Sequence, residues 1–131
     1  FLIMNKTYDL LSVSSAALVT SGTATLETAL FNVPEVVCYK GSRISYEIAK
    51  RVIKLNYISL VNLIMDKEVV KELIQHEFNV KNLKAELSKI LNPEHRAQLF
   101  SDYKVLKEKL GGSGASKNTA QLIYKNLQAD E

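Results

Sequence analysis

The stretch Ser21-Gly22-Thr23-Ala24-Thr25-Leu26-Glu27 lies between an apolar run, Ala16 to Val19, and a segment with helical spacing, Leu26 to Phe31. This order predicts a strand, a glycine turn and a helix. Glycine lets the backbone approach a ligand closely, and the free N–H groups of a first helical turn point at an anion. The stretch therefore predicts a phosphate-binding turn, and a nucleotide is the leading candidate ligand.

Around this turn, short apolar runs alternate with amphipathic stretches, as in the βα units of a parallel sheet. The predicted strands are Phe1–Met4, Ala16–Val19, Glu35–Tyr39 and Tyr57–Leu60. The predicted helices of this half are Tyr8–Ser12, Leu26–Phe31 and one that begins at Ser42, with Ile44, Ile48, Ala49, Val52 and Ile53 on its apolar face. Three βα repeats are thus expected before residue 61.

The second half of the chain predicts successive helices, at Lys67–Gln75, Val80–Leu91, Pro93–Leu110 and Ser116–Leu127. Pro93 suits a first helical turn, and Gly111-Gly112-Ser113-Gly114 breaks the chain before the last helix. Because there is no internal repeat and no long linker, we expect one α/β domain over residues 1–131. Its βα repeats extend to about residue 66, and a mainly helical part follows from about residue 67.

Composition excludes several classes of protein. The 131 residues are 47% hydrophobic and 24% charged, which is typical of a globular domain with a core rather than a disordered chain. The net charge of +3 falls short of the dense basic patches of nucleic-acid-binding proteins, so no nucleic-acid partner is predicted. The single cysteine, Cys38, lies in an apolar strand pattern, which predicts a buried thiol and fits a cytoplasmic compartment.

Metal and membrane signals are also weak. His76 and His95 lie far apart without Cys or His neighbours, so no metal site is predicted and both are expected on the surface of helices. No apolar run reaches the ~18 residues of a membrane span, and no signal-peptide pattern is present. We expect a soluble or peripheral protein, and the apolar opening Phe1 to Met4 suggests a fragment of a longer chain.

Two polar residues are candidates for ligand contact. Glu27 follows Thr23 by four residues, a spacing that a capping box does not explain, and from there a carboxylate can reach a ribose. Its alternative role is that of a solvated helix acid. Asn62 interrupts the apolar segment Tyr57–Ile64 at the end of a predicted strand, where ligands of parallel sheets gather. Its alternative role is to bond local backbone.

Other charged residues are weaker candidates. Lys40 and Arg43 follow a predicted strand end, where they could meet phosphate or an acidic membrane surface. A basic group at the end of the predicted third helix complements the helix dipole; it comprises Lys50, Arg51 and Lys54. Glu68 and Glu72 share a predicted helix face and are expected to pair with lysines rather than act as a catalytic pair.

Several segments, taken in order, resemble the C-terminal domain of the lipid A disaccharide synthase family. They are Ala16–Glu27, Pro34–Lys40, Ala49–Arg51, Tyr57–Ile64, Glu68–Gln75 and Leu110–Ser116. The resemblance covers nearly the entire chain. It implies the C-terminal half of a GT-B glycosyltransferase fold, a Rossmann-like parallel sheet flanked by helices, with the N-terminal acceptor domain absent.

The resemblance also implies a reaction. Members of the family transfer 2,3-diacylglucosamine from its UDP donor to 2,3-diacylglucosamine 1-phosphate, forming a β-1,6 linkage and releasing UDP, with no metal or redox cofactor. The expected partners are UDP-2,3-diacylglucosamine and UDP, a lipid acceptor bound through the missing domain, and the cytoplasmic face of the inner membrane as a peripheral site. Members can dimerise through C-terminal helices, so a homodimer is one expected state.

Residue by residue, the resemblance implies a donor site. The UDP phosphates would be held by Ser21, Gly22, Thr23, Ala24 and Thr25. Glu27 would lie near the ribose, Asn62 would be the amide required for activity, and Glu72 and Gln75 would belong to the following helix. The chain departs from the family at Val61 and at Met65-Asp66-Lys67, which puts a donor contact from Lys67 in doubt.

The general base would lie in the missing domain. The fragment alone is therefore expected to be inactive and to bind UDP weakly. Two alternatives stay open: another GT-B enzyme that uses UDP-sugars, of the murein N-acetylglucosaminyltransferase or UDP-N-acetylglucosamine 2-epimerase type, or a non-catalytic α/β interaction module.

Overall fold

The computed structural model describes residues 2–41, 56–111 and 114–129. Its elements in chain order are α1 (Thr7–Val13), β1 (Ala17–Thr20), α2 (Thr23–Leu30), β2 (Glu35–Tyr39), α3 (Leu60–Met65), β3 (Lys71–Ile74), a 3-10 helix (Gln75–Glu77), α4 (Val80–Leu91), α5 (Pro93–Lys109) and α6 (Ala115–Ala129). The predicted helix from Ser42 lies outside the described residues, as do Phe1, Arg43, Lys50, Arg51, Lys54, Gly112 and Ser113.

The strands of the described residues form one parallel sheet in the order β1-β2-β3. Thr20 lies opposite Cys38, and Tyr39 lies opposite Ile74, so the carboxyl ends of all three strands meet at one edge. Val36 and Val37 of the central strand are fully buried, as expected for a parallel strand covered on both faces. The predicted α/β class with a parallel sheet is confirmed.

Helices cover this sheet. α2 packs against β1, β2 and α3, whereas α4 packs against β2 and β3, and α5 contacts α2, α3 and α4. α5 buries Leu99, Tyr103 and Leu106 in the core. The side chains of residues 116–128 in α6 are exposed. None of the described helices combines the length and the apolar character that crossing a membrane requires.

Local capping sets the helix bounds. The Oδ1 atom of Asn92 accepts hydrogen bonds from the N–H groups of Glu94 and His95, at 2.9 and 3.3 Å, and Asn79 caps α4 through the N–H of Asn82 at 3.0 Å. Side-chain caps of this kind satisfy N–H groups that have no partner within the helix. The predicted helices Tyr8–Ser12, Val80–Leu91, Pro93–Leu110 and Ser116–Leu127 are confirmed to within two residues at each end.

Two predicted strands are wrong. Leu2 to Met4 are irregular and exposed, because an apolar run also needs a hydrogen-bonded partner strand, and none of the described strands pairs with this one. Residues 57–59 are irregular as well, and Leu60 begins α3. The N–H groups of Ile58 and Ser59 bond to the Glu72 carboxylate, which leaves them unable to join a strand ladder.

The predicted helix Lys67–Gln75 is also wrong. Its second half is strand β3, paired in parallel with β2, and the residues from Lys67 to Val70 are irregular. The N–H groups of Val69 and Val70 bond to the side chain of Asn62, which fixes the approach to the strand. Short apolar runs with mixed spacing suit either a helix or a buried strand, and here sheet pairing decides.

Candidate functional site

The predicted phosphate turn follows β1 at the carboxyl edge of the sheet, where ligands of open α/β sheets bind. Gly22 adopts φ 131° and ψ −161°, a backbone conformation that side chains other than glycine's rarely allow. A Cβ built at Gly22 would have no atom within 4 Å. No side chain caps the start of α2. The N–H of Thr25 donates to the carbonyl oxygen of Gly22 at 3.2 Å, which leaves the N–H groups of Thr23 and Ala24 available to an anion.

The five residues of this turn differ in access. Gly22 and Thr23 are exposed, and Ser21 and Ala24 are half-buried. Thr25 is fully buried, and its hydroxyl donates to the carbonyl oxygen of Gly22 at 2.8 Å. Thr25 therefore stabilises the turn from behind, while the other four residues can face a ligand.

Glu27 lies one helical turn further along α2 and is half-buried. It lines an open cavity of about 470 Å³ together with Asn5, Lys6, Thr7, Tyr8 and Asp9. The structure thus places Glu27 between the glycine turn and a polar cavity. Sequence analysis missed residues 5–9 as candidates, although four of them are polar and lie directly before α1 or in its first turn.

Asn62 is fully buried in α3. Its amide nitrogen donates to the carbonyl oxygen of Val70 at 2.8 Å and to Oε1 of Glu72 at 2.9 Å. Its amide oxygen accepts from the N–H groups of Val69 and Val70, at 2.8 and 3.0 Å. These contacts use both donors and both lone pairs of the amide. Asn62 therefore has the backbone-bonding role in this structure, and it lies in a helix rather than at a strand end.

Glu72 joins the same network. Its carboxylate accepts from the N–H groups of Ile58 and Ser59, at 3.0 and 2.9 Å, and from the Asn62 amide. The Ser59 hydroxyl in turn accepts from the N–H of Asn62 at 3.3 Å. The structure therefore brings Asn62 and Glu72 together, and their network attaches the start of α3 to β3. A carboxylate at a helix start is also electrostatically favourable.

Gln75 directly follows β3 at the carboxyl edge of the sheet, the edge that also holds Gly22. Its backbone is left-handed, with φ 53°, which is uncommon for a residue other than glycine. Its buried Nε2 atom has no hydrogen-bond partner among the described residues. Backbone strain and an unused buried donor are features that cluster at ligand sites.

The remaining charged candidates either form ion pairs within the protein or are exposed to solvent. Glu68 is exposed and pairs with Lys71 at 3.3 Å, as predicted. The same prediction for Glu72 is wrong, because that carboxylate is buried in β3 and accepts from N–H groups instead. The two glutamates therefore share no helix face. Lys67 pairs with Asp102 of α5 at 2.6 Å, which ties the loop before β3 to that helix. Lys40 is exposed at the carboxyl end of β2.

Two buried titratable groups lie in β2. Cys38 is buried, as predicted, and burial raises the pKa of its thiol. Glu35 is fully buried, neither carboxylate oxygen has a partner among the described residues, and burial raises its pKa to about 9. Glu35 begins the strand, so it lies at the amino end of β2, away from the candidate site. His76 and His95 are exposed in helical turns, as predicted.

The family model described as "Lipid-A-disaccharide synthetase" matches residues 1–125 of the chain. The chain belongs to this family. Among its relatives, the lipid-A-disaccharide synthase of Syntrophus aciditrophicus is 42% identical over 120 residues, which cover 91% of this chain and 31% of that protein. The synthase of Geobacter metallireducens is 36% identical, covering 94% and 32%, and that of Synechocystis sp. is 33% identical, covering 90% and 31%.

The family assignment confirms the resemblance seen in the sequence. The chain spans about a third of the length of the curated relatives that it matches, with 31% of the Syntrophus aciditrophicus protein covered. These relatives are named lipid-A-disaccharide synthases, and none of the three is named a murein transferase or an epimerase. Nothing in the family match favours either alternative enzyme or a non-catalytic module.

Proposed function

We propose that this chain is the donor-binding C-terminal domain of a lipid-A-disaccharide synthase, a GT-B glycosyltransferase. The parent enzyme transfers 2,3-diacylglucosamine from UDP to 2,3-diacylglucosamine 1-phosphate. The acceptor hydroxyl attacks the anomeric carbon of the donor, the bond from that carbon to the UDP oxygen breaks, and UDP leaves. The proposal includes a peripheral position on the cytoplasmic face of the inner membrane.

The observation that supports this proposal best is the uncapped start of α2 at the sheet edge. Gly22 has no atom within 4 Å of a Cβ position, so a diphosphate can approach the backbone there. N–H groups at a helix start stabilise negative charge. In the transfer reaction that charge grows on the departing UDP, so this half of the enzyme contributes leaving-group stabilisation.

The other site residues divide into two groups under this proposal. Ser21, Thr23 and Ala24 would contact the phosphates, and Glu27 would accept hydrogen bonds from the ribose. Asn62, Glu72 and Thr25 would act as positioning residues, because their polar atoms bond to protein groups. The proton of the acceptor hydroxyl would go to a base in another part of the enzyme, so we expect the chain alone to bind UDP weakly without turnover.

Two glycines provide a matched test of UDP binding. Gly22 and Gly111 both have positive φ, 131° and 79°, and an added Cβ meets no atom within 4 Å at either position. Replacement of either by alanine strains the backbone by about 1–3 kcal/mol. We expect Gly22→Ala to abolish UDP-induced NMR shifts at residues 21–27, and Gly111→Ala to keep them. Equal UDP affinity of the two variants would contradict the proposal.

A chimaera tests the reaction. In this chimaera, the chain replaces the corresponding third of the Syntrophus aciditrophicus synthase. UDP release is then measured with UDP-2,3-diacylglucosamine as donor and 2,3-diacylglucosamine 1-phosphate as acceptor. We expect turnover by the chimaera and by its Gly111→Ala variant, strongly reduced turnover by Gly22→Ala, and none by the chain alone. A folded but inactive chimaera, or turnover by the isolated chain, would count against this division of the enzyme.

A further inference from the structure

The carbonyl group of Gly22 is fixed in orientation by a single residue, Thr25. Its oxygen accepts from the Thr25 hydroxyl at 2.8 Å and from the Thr25 N–H at 3.2 Å. These two donors occupy both lone pairs of the carbonyl oxygen. Because Thr25 is fully buried, water does not compete for the hydroxyl, and the Gly22 oxygen stays directed toward Thr25.

This contact also sets the direction of the next N–H group. The C=O and N–H of a trans peptide group point in opposite directions, and none of the described residues has a cis peptide bond. The N–H of Thr23, which shares its peptide group with the Gly22 carbonyl, therefore points away from Thr25. Thr23 is exposed, so this N–H is directed to the open side of the turn.

The Gly22–Thr23 peptide group needs such a contact. Glycine has access to more backbone conformations than any other residue, so rotation on either side of this peptide could turn the carbonyl oxygen outward. An outward oxygen would repel an anion where the N–H attracts one. No side chain caps the start of α2, so the Thr25 hydroxyl is the side-chain group that opposes this rotation. A bond to the carbonyl oxygen also polarises the peptide and strengthens its N–H as a donor.

Thr28 makes a matching contact one turn later without this consequence. Thr28 is 2% exposed, and its hydroxyl donates to the carbonyl oxygen of Ala24 at 2.7 Å. The N–H of that peptide group belongs to Thr25 and already donates to Gly22. The two threonines thus agree in burial and in bond length, but only the Thr25 hydroxyl acts on a peptide group whose N–H faces the open side of the turn.

We propose that Thr25 is a positioning residue for the diphosphate of the donor. Its hydroxyl orients and polarises the Gly22–Thr23 peptide group, so that the Thr23 N–H donates to the phosphate oxygens. This inference rests on the proposed function and adds to it a buried residue that sets the donor strength of the turn without touching the ligand. An N–H that is oriented before the reaction stabilises the charge on departing UDP without reorganisation.

The test removes the Thr25 hydroxyl and keeps the shape of the side chain. In NMR titrations of the 131-residue chain with inorganic pyrophosphate and with UDP, Thr25→Val should weaken the binding of both about tenfold. This is the lower end of the effect of losing a hydrogen bond to a charged group. Thr25→Ser keeps the hydroxyl and should bind both within about twofold of the unmodified chain.

Thr28→Val is the matched control. It loses a hydroxyl of the same burial and bond type, so its urea midpoint should fall like that of Thr25→Val, but its affinity for pyrophosphate should stay within about twofold of the unmodified value. Equal pyrophosphate affinity of Thr25→Val and Thr28→Val would overturn this inference and leave the proposed function standing. Equal weakening in Thr25→Ser and Thr25→Val would do the same, because the methyl group rather than the hydroxyl would then matter.

A measurement on the unmodified chain does not depend on the folding of any variant. On addition of pyrophosphate, the amide proton of Thr23 should move downfield, as expected for a charge-assisted hydrogen bond, and by more than the amide proton of Thr25. Shifts at other residues of the turn with the Thr23 proton unmoved would overturn the inference alone. Absence of all shifts with UDP up to millimolar concentration would overturn both the inference and the proposed function.

Discussion

Asn62 uses every hydrogen-bonding group of its side chain inside the protein. Its replacement by alanine would leave the N–H groups of Val69 and Val70 and part of the Glu72 carboxylate without a partner. Each buried polar group left in this way costs about 1–3 kcal/mol. The amide that the resemblance implies at this position would therefore have a structural role that needs no contact with the donor.

We expect Asn62→Ala to lower the free energy of unfolding by about 2–4 kcal/mol, measured by urea denaturation. The control is Asn118→Ala, at an exposed asparagine of α6, which should change stability by less than about 0.5 kcal/mol. If Asn62→Ala unfolds like the unmodified chain but loses UDP affinity, the residue contacts the ligand and the positioning role is wrong.

Glu35 makes stability depend on pH. Its pKa of about 9 in the folded chain lies above the ordinary 4.5, so between these values the folded state holds a proton that the unfolded state releases. The stabilising effect of this proton is complete below pH 4.5 and is lost as pH rises toward 9. Tyr103 of α5 lies near Glu35. Burial raises the pKa of Tyr103, and the charge of Glu35 would raise it further.

The test is urea unfolding of the unmodified chain and Glu35→Gln between pH 5.5 and 8.5. The unmodified chain should lose up to about 1.4 kcal/mol per pH unit relative to the variant, since glutamine stays neutral throughout. Glu68→Gln, at an exposed glutamate, should follow the unmodified chain. Parallel profiles for all three proteins would mean that Glu35 is solvated or paired in the folded state.

At the level of elements, the sequence predicted those strands and helices whose bounds are set by neighbouring residues. Strand Glu35–Tyr39 was predicted to the residue, because Pro34 and an unbroken apolar run mark a central strand. Asn92 and Pro93 similarly mark the start of α5. The segment from residue 57 to residue 75 was predicted wrongly, since its N–H groups bond to the side chains of Asn62 and Glu72, contacts that no local pattern reveals.

In the candidate site, too, the sequence predicted the features set by neighbouring residues and missed those set by tertiary contacts. The glycine turn and Glu27 were found because a strand, a glycine and a helix start have a recognisable order. The cavity beside Glu27 depends on how α1 lies against α2, which is a tertiary contact. Gln75 was expected on a helix; its left-handed backbone at the end of β3 follows from the pairing of that strand with β2.

The Glu72 carboxylate joins the start of α3 to β3, a contact that we call the α3–β3 junction. Changing this carboxylate should destabilise the junction. In Glu72→Gln an amide N–H₂ group replaces one carboxylate oxygen and faces the N–H donors of Ile58 and Ser59. We expect a loss of about 1–3 kcal/mol and faster hydrogen exchange at residues 58–62, with α5 unaffected. Glu86→Gln, at a glutamate on α4 that pairs with Lys89, is the control, and equal exchange in both variants would contradict the junction.

At the scale of the whole molecule, the buried core does not include the last described helix, α6. The buried cluster runs in sequence from Ala29 to Leu106 and includes residues of α2, of strands β2 and β3, and of α3 to α5. α6 contributes none of these residues, and Leu122, Ile123, Tyr124 and Leu127 on it are 57–66% exposed. Since stability comes mainly from buried apolar area, the described sheet and helices α1 to α5 should not depend on α6.

Truncation after Gly111 tests this expectation. Because the apolar area of α6 lies in solvent, the shortened chain should unfold cooperatively in urea, with a free energy within about 1 kcal/mol of that of the 131-residue chain. UDP-induced shifts at residues 21–27 should also persist, since neither the turn nor the cavity includes a residue of α6. Truncation within α5, after Phe100, is the destabilising comparison because it removes the buried Tyr103 and Leu106. If loss of α6 unfolds the chain as truncation within α5 does, then α6 packs on the core in solution, and its exposed face is a contact surface that the domain needs to fold.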